Sequence, residues 1–333
     1  MLRLTLLLTM FFTASVLTHF PVAAADASKE TRQPASEAEL KTWLINMVVY
    51  HRFTLAEIEG VTGLSEEQIR SACEKANIDL DHPEKTQRPT TFDGRLTMIP
   101  YPGGRHPRIG FLEGAIDPQR ETKFSVFTPW DLESYVVVDL PEAVWSNLGL
   151  IYLAHSHVPT IWSKQQIELE KLEWNVADDG SLSLERRLPN GISFKTWAQS
   201  YRDGIRMRMS LTNGTSEPLS DLRVQMCAML KGAAGFTDQT NDNKLFLPPL
   251  SAVHDGSGTR WIITGWEPLH RTWGNSKCPC LHADPKIPDC PPGETREISG
   301  WLSFYEGTDI YGELCRIYRT TWRDPNRNTF QLR

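Results

Sequence analysis

The chain has 333 residues, with 41 acidic and 35 basic side chains, and its formal net charge is −6. A mildly acidic protein has no electrostatic reason to bind nucleic acid or an anionic membrane, so neither kind of partner is expected. This length suits one large domain, or one large domain with a small module.

Residues 1–25 predict a cleavable signal peptide. Arg3 supplies a short positive start, residues 4–18 are apolar and uncharged, and the three alanines of 23–25 offer small side chains for cleavage. The apolar run is shorter than the roughly 20 residues that span a bilayer, so we expect no membrane span. The protein is therefore expected to be extracytoplasmic, either periplasmic or secreted, and residues 26–35 read as a polar tether.

Residues 36–78 predict a small module of three short helices. Each helix start pairs a Ser or Thr with a Glu or Gln three residues later: Ser36 with Glu39, Thr54 with Glu57, and Ser65 with Gln68. The arrangement around Gly63 is similar to a helix-turn-helix unit, which allows a DNA-binding interpretation. Glu66 and Glu67 would repel phosphate, so we favour a bundle used for packing or for contact with a protein partner.

Residues 79–93 read as a polar linker, and residues 94–325 as a large β domain. Apolar and polar residues alternate in 205–211 and 222–230, and further strands are indicated at 135–138, 148–158, 182–188, 192–199, 261–266 and 298–305. Turn sequences such as Asn213-Gly214 separate them, and 267–293 reads as a long loop. The fold class predicted is mainly β, a large antiparallel sandwich preceded by the helical module.

A family resemblance rests on three features of this domain. A strand ends at Asn213, Pro218-Leu219 follows, and the next strand is 222–230; Pro292-Gly293-Glu294 leads into a closing strand. These features resemble galactose-mutarotase-like β-supersandwich proteins, the aldose-epimerase-like carbohydrate-binding fold. In that family the second strand lines the sugar cleft and carries a catalytic His. Here Gln225-Met226-Cys227 contains no His, so the resemblance implies a lyase, an epimerase or a sugar-binding protein.

His155 and His157 form the sharpest local motif. Both follow Ile151 and Leu153 on one face of a predicted strand, so one metal ion could bridge their rings. We expect them to be catalytic, with His270 or His282 as a third ligand and zinc or copper as the one divalent cofactor. The alternative is that the two rings line a cleft and hydrogen-bond a sugar.

Six cysteines follow the leader, and three of them form the pattern Cys278-Pro-Cys280-Leu-His282 with Cys290. This set could hold a metal through thiolates. Because exported thiols oxidise, we favour a disulfide from Cys290 to Cys278 or Cys280.

The remaining candidate residues suit a carbohydrate ligand, through guanidinium, carboxylate, amide and aromatic contacts. They are Arg105, Arg108, Glu113, Arg120, Trp130, Trp162, Lys231, Asn241 and Trp273. The sequence thus predicts an exported protein that binds and processes a sugar or glycan in a sandwich cleft, with metal assistance. The alternative is a non-enzymatic carbohydrate-binding or cell-envelope interaction module.

Overall fold

A computed structural model describes residues 31–86, 88, 94–103, 121–154, 158–276, 278–320 and 322. The expected signal peptide lies outside these residues. Among the residues described, no helix is both long enough and apolar enough to cross a membrane.

Three short helices form the N-terminal module, as the capping sequences predict. They are α1 (Glu37–Leu44), α2 (Leu55–Thr62) and α3 (Glu66–Ala76). The hydroxyl oxygens of Ser36, Thr54 and Ser65 each accept from a backbone N–H three residues later, and the boxes at Thr54 and Ser65 are reciprocal. Gly63 ends α2 with φ +69°, a left-handed conformation that suits a residue without Cβ.

A π-helical turn, Ile45–Tyr50, continues α1 and leads into a fully buried histidine. The Nδ1 of His51 lies 3.1 Å from Asn46 O, and its Nε2 lies 2.7 Å from Ser125 Oγ. A carbonyl can only accept, so Nδ1 carries the proton and Nε2 accepts from the Ser125 hydroxyl. The apolar side of the module packs onto the β domain, where Phe53 and Phe127 share one buried cluster.

The described strands form two antiparallel sheets. The seven-stranded sheet contains β1 (Met98–Pro100), β2 (Lys123–Thr128), β3 (Asp131–Ser146), β4 (Gly149–Leu153), β9 (Arg223–Met229), β13 (Leu269–Trp273) and β14 (Cys280–Pro285). The eight-stranded sheet contains β5 (Asn175–Val176), β6 (Leu182–Arg187), β7 (Ser193–Tyr201), β8 (Gly204–Thr212), β10 (Lys244–Leu247), β11 (Leu250–His254), β12 (Arg260–Glu267) and β15 (Thr295–Glu306).

The order of the strands explains how distant segments meet. The larger sheet runs β10-β11-β12-β15-β8-β7-β6-β5. The smaller runs β1-β2-β3-β9-β14-β13, with β4 paired to β3. The two sheets face each other across a core to which Phe124, Met226, Phe194 and Met209 contribute. This architecture confirms the predicted mainly β sandwich with helices at its N-terminus.

One expectation about the β domain is wrong. The segment 267–293 contains strands β13 and β14, although its prolines and cysteines read as a loop. Residues near the end of the domain form helix α5 (Ile310–Tyr318), and Ile161–Lys164 forms a single turn, α4. Helix α5 covers the outer face of the eight-stranded sheet through Ile310, Leu314 and Ile317.

Asn213 stabilises the turn between β8 and β9 through side-chain hydrogen bonds. Its side chain is fully buried, and its Nδ2 donates to Glu217 O at 2.9 Å and to Cys290 O at 2.8 Å. Its Oδ1 accepts from the backbone N–H and the hydroxyl of Thr215. The backbone of Gly214 lies so close to Gly191 that a Cβ there would meet Gly191 O at 2.1 Å.

Candidate functional site

Five neighbouring strands of the seven-stranded sheet place one functional side chain each in a single line, which we call the polar row. Its members, in order across the sheet, are Lys123, Asp139, Cys227, His282 and Trp273. Residues that pair directly across antiparallel strands point to the same face. The core residues of these strands point to the other face, so the polar row lies on the outer face of the sandwich.

The ionisable members of the polar row are buried, although they lie on an outer face. Lys123, Asp139, Cys227 and His282 are each less than 5% exposed. The helical module contributes to the burial of Cys227, because its apolar cluster extends onto the sheet and includes Cys227, Cys278 and Cys280. A group of four buried polar and ionisable side chains is unusual unless its members are paired.

Strand β14 presents Cys280, His282 and Asp284 on one face, because alternate strand residues share a side. The Nε2 of His282 lies 3.2 Å from Cys280 Sγ, and its Nδ1 lies 3.6 Å from Asp284 Oδ1. Asp284 Oδ2 accepts from Arg271 Nε at 2.9 Å and from Trp273 Nε1 at 2.6 Å. The Trp273 ring stacks on the His282 ring at 4.1 Å, which fixes the imidazole plane.

The thiols on this face have unequal acidities. Hydrogen bonds from Cys227 and Cys278, followed by His282, lower the pKa of Cys280. The same contact with Cys280, together with burial, raises the pKa of Cys227. Burial alone would lower the pKa of His282, but its interactions with Asp284 and Cys280 outweigh burial and raise the pKa to about 10. These shifts favour an ion pair between the imidazolium of His282 and the thiolate of Cys280, which lies beside the polar row.

Lys123 and Asp139 form the other half of the polar row as a buried ion pair. Their Nζ and Oδ1 atoms are 2.5 Å apart, and neither side chain is more than 3% exposed. Burial raises the pKa of Asp139 despite the neighbouring ammonium. Such a pair contributes little net stability, because removing both charges from water opposes their attraction.

Beside the polar row, the sheet becomes accessible at Glu142, Gln225 and Arg271, which we call the open edge. Glu142 lies where the register of β3 against β9 shifts, and its Oε2 accepts from Gln225 Nε2 at 2.7 Å. It is half-buried, and burial is the main reason that its pKa rises to about 7. The side chain of Arg271 is 51% exposed.

The structure describes the strand end that precedes His155 and His157, but not the two histidines themselves. Ala154 donates its N–H to Glu142 O at 2.7 Å, and His155 and His157 follow it in sequence. Both histidines lie outside the described residues, as do Arg105, Arg108, Glu113 and Arg120.

The other predicted site residues are dispersed. His282 and Trp273 belong to the polar row, whereas His270 is exposed on β13. Asn241 is exposed and donates to Gly274 O, and Lys231 is exposed at the end of β9.

Two of the predicted tryptophans pack against the protein itself. Trp162 is buried, and its indole N–H donates to Ile151 O at 2.8 Å. Trp130 stacks on Phe236 at 6.0 Å, with the Arg260 guanidinium over its ring.

The structure does not contain the expected disulfide. All six cysteines of the chain lie among the described residues, and all have free thiols. Cys290 packs in the sandwich core, and its Sγ contacts Glu294 O at 3.1 Å. Cys278 and Cys280 belong to the cluster on the outer face of the seven-stranded sheet, so that sheet separates them from Cys290.

Sequence reasoning missed Cys227, Asp139, Lys123, Glu142 and Asp284 as site residues. The spacing of Cys280, His282 and Asp284 at every second position was the available signal, and reading 280–285 as a strand would have revealed it. The partners from β2, β3 and β9 come from distant segments, and only the strand order brings them together.

No protein-family model and no curated protein sequence matches the chain. Solved structures similar to it include a protein described as a kojibiose phosphorylase from the human microbiome, at 6% identity and a TM-score of 0.35. The match covers 55% of this chain and 25% of that one, so the chain spans about a quarter of that protein.

Two further similar structures are also described as acting on carbohydrates. A polysaccharide lyase shares 12% identity at a TM-score of 0.31, covering 61% of this chain and 33% of that one. A protein described as an aldose 1-epimerase from Escherichia coli K12 shares 12% identity at a TM-score of 0.30, covering 59% and 82%.

Proposed function

We propose that this chain binds and processes a carbohydrate at the open edge of the seven-stranded sheet. The observation that carries the proposal is the hydrogen-bonded pair of Glu142 and Gln225, with the exposed Arg271 two strands from Gln225, beside a row of buried ionisable side chains. An amide, a carboxyl and a guanidinium are the groups that hydrogen-bond sugar hydroxyls and uronate carboxylates. Strand β9, which contributes Gln225, corresponds to the strand that the family resemblance places in a sugar cleft.

Glu142 is the proposed proton-transfer group. A carboxyl with a pKa near 7 can both give and take a proton at neutral pH, which suits general acid–base catalysis. Arg271 would orient an acidic sugar, and Gln225 would hold Glu142 in place through its amide. The reaction classes compatible with this set are epimerisation and the β-elimination of a uronate-containing glycan.

The test is a comparison of Glu142→Gln with the wild-type chain. Glucose, galactose and an oligogalacturonate would be offered at millimolar concentration. Turnover would be followed by proton NMR of the sugar and by ultraviolet absorbance of an unsaturated product. Because Gln cannot exchange a proton, we expect turnover of one probe to fall by about 100-fold or more, while binding is retained.

Glu185→Gln is the matched control, because Glu185 lies on the eight-stranded sheet in an exposed ion pair with Arg187. It should leave turnover unchanged. Binding of a probe without any turnover by the wild type would favour the alternative, a non-enzymatic carbohydrate-binding or envelope module. Absence of binding to every probe would count against the carbohydrate proposal itself.

Three further expectations belong to this proposal. Metal assistance through His155 and His157, with zinc or copper, would be tested by metal analysis of a variant with both replaced by Ala. Export would be tested by cell fractionation and by sequencing of the N-terminus. A protein partner of the helical module stays a prediction, and the groove of about 600 Å³ between α1 and α3 is the surface on which to test it.

A further inference from the structure

Three soft donor groups converge on the outer face of the seven-stranded sheet. Cys227 comes from β9, and Cys280 and His282 come from β14. One ligand atom from each, the two sulfurs and an imidazole nitrogen, lie within 4.8 Å of one another. All three residues are buried, at 4% exposure or less.

We infer that Cys227, Cys280 and His282 bind one soft d10 cation, either Zn²⁺ or Cu⁺. In a tetrahedral thiolate–imidazole site the ligand atoms are roughly 3.3–3.8 Å apart, given metal–ligand bonds of about 2.0–2.3 Å. The 3.2 Å between Cys280 Sγ and His282 Nε2 is already close to that spacing. Thiolate and imidazole are the donors that zinc and cuprous copper prefer, whereas calcium and magnesium prefer oxygen.

His282 has the neighbours that a metal-bound histidine usually has: ligand atoms at one ring nitrogen and a carboxylate at the other. Its Nε2 faces the sulfurs, and its Nδ1 faces Asp284 at 3.6 Å, which a small ring rotation would shorten to a hydrogen bond. Metal-bound histidines almost always direct the second ring nitrogen to a carboxylate or carbonyl, which fixes the tautomer. Asp284 is itself held by Arg271, by Trp273 and by the backbone N–H of Met226.

Cys278 is placed to provide a fourth ligand. Its thiol interacts with Cys280 and lies 3.7 Å from the sulfur of Met229. With Zn²⁺, two thiolates and a neutral imidazole the site is electrically neutral, which suits burial. A third thiolate would add one negative charge, and Lys244 lies close enough to interact electrostatically with Cys278 and Cys280.

A nucleophilic cysteine is the competing interpretation of the same residues. Cys280, His282 and Asp284 have the order of a nucleophile, a base and an orienting carboxylate. However, Cys280 is only 2% exposed, and a second thiol, Cys227, faces the same imidazole. A metal ion uses both sulfurs and needs no substrate access, so it accounts for more of the observed arrangement.

The direct experiment measures metal in the full-length protein, purified under reducing conditions without a polyhistidine tag or chelator. We expect about one equivalent of zinc or copper by elemental analysis. X-ray absorption at the edge of the metal found should show sulfur and nitrogen neighbours. Replacement by Co²⁺ should give a thiolate charge-transfer band. Binding releases the thiol protons, so affinity should fall as the pH is lowered.

Variants then identify the ligands. Cys227→Ser and Cys280→Ser should each remove the bound metal, and Asp284→Asn should weaken binding by about 10- to 100-fold through the outer shell. The matched control is Cys315→Ser, because this cysteine is exposed on α5 and distant from the cluster in the fold. Circular dichroism of each variant shows whether lost metal reflects a lost ligand or a lost fold.

Several results would overturn the inference. One is wild-type protein with far less than one equivalent of metal that also fails to take up Zn²⁺, Cu⁺ or Co²⁺ when reduced. Another is a folded Cys280→Ser protein that binds metal like the wild type. A disulfide between Cys227 and Cys280 in protein from its native compartment would also contradict it. The inference does not depend on the proposed sugar chemistry, because every readout is independent of turnover.

Discussion

Each sheet of the sandwich has an outer face that a helical element covers, and the two covered faces differ in chemistry. On the eight-stranded sheet, α5 packs on Trp261, Ile263 and Trp301 in an apolar cluster. On the seven-stranded sheet, the N-terminal module covers an apolar area that borders Lys123, Asp139, Cys227 and His282. The first face is mainly apolar, and burying apolar area is the main favourable contribution to folding. Its one described buried charge, Arg206, lies over the Trp301 ring and pairs with Asp203.

The second face contains groups that burial disfavours. An ion pair in the interior gains little net free energy, and the thiolate of Cys280 beside the imidazolium of His282 is a second buried pair of charges. Buried ionisable groups gathered on one face therefore mark a candidate functional site.

Removing one partner of the buried ion pair should have the largest effect. Asp139→Leu leaves Lys123 charged and unpaired in the interior, which should lower the free energy of unfolding by about 3–5 kcal/mol in urea titrations. Adding Lys123→Met should restore most of that loss, because an apolar pair of similar size replaces the ion pair. If the double variant were as unstable as Asp139→Leu alone, the ion pair itself would contribute to the stability of the fold.

On the apolar face, Trp301→Ala should lower the free energy of unfolding by about 3–5 kcal/mol, because it opens a large cavity under α5. Metal content and sugar turnover of the folded fraction should be unchanged. Tyr311→Ala is the matched control on the same helix, since Tyr311 is 60% exposed. Its effect should stay within about 0.5 kcal/mol. Lost metal binding in folded Trp301→Ala would contradict the separation of the two faces.

The open edge should make stability depend on pH. The pKa of Glu142 rises from 4.5 to about 7 in the folded protein, so the folded state binds the proton more tightly than the unfolded state. This contribution is complete below pH 4.5 and is lost as the pH rises through about 7, by at most about 3 kcal/mol.

The measurement for Glu142 is a series of urea titrations of reduced, metal-free protein between pH 4.5 and 8. Glu142→Gln cannot ionise, so the difference between the variant and the wild type should grow in favour of the variant across this range. A constant difference would mean that the carboxyl titrates normally in the folded protein.

The smallest effect is expected at the caps of the helical module. Thr54→Ala removes the hydroxyl that accepts from Glu57 N, and with it one half of a reciprocal capping box. We expect a loss of about 1 kcal/mol in thermal or urea unfolding. Thr54→Ser keeps the acceptor and should stay close to wild type. If Thr54→Ala lost bound metal while its circular dichroism showed the wild-type helix content, the helical module would have a direct role in positioning the thiols.

The parts of the fold that depend on local sequence could be predicted. Ser36, Thr54 and Ser65 act as helix caps because the capping sequence is complete within four residues. The alternation in 205–211 predicts β8, since a half-buried strand shows its inner face in every second residue. Strand β14 was missed because Pro279 precedes it, Pro285 ends it, and Cys280 was read as part of a disulfide in a loop.

The site could be predicted only in part, because its residues come from strands that are far apart in the sequence. His282 and Trp273 were identified from residue type, but Asp139 and Cys227 look like ordinary members of apolar strands. Their meeting depends on the register that pairs Asp139 with Cys227 and Cys227 with His282. Long-range register follows from the whole sheet, and no short window of sequence contains it.

The buried turn at Asn213 bears on what a eukaryotic expression host could attach to this protein. Asn213-Gly214-Thr215 is an acceptor sequence for N-linked glycans, which are joined to the side-chain nitrogen. In the folded chain that nitrogen is inaccessible, and it donates to the carbonyls of Glu217 and Cys290. An oligosaccharyl transferase could reach it only before β8 and β9 pack, and a chain modified there could not close this turn. Folded protein from such a host should therefore have the mass of the bare polypeptide at this position.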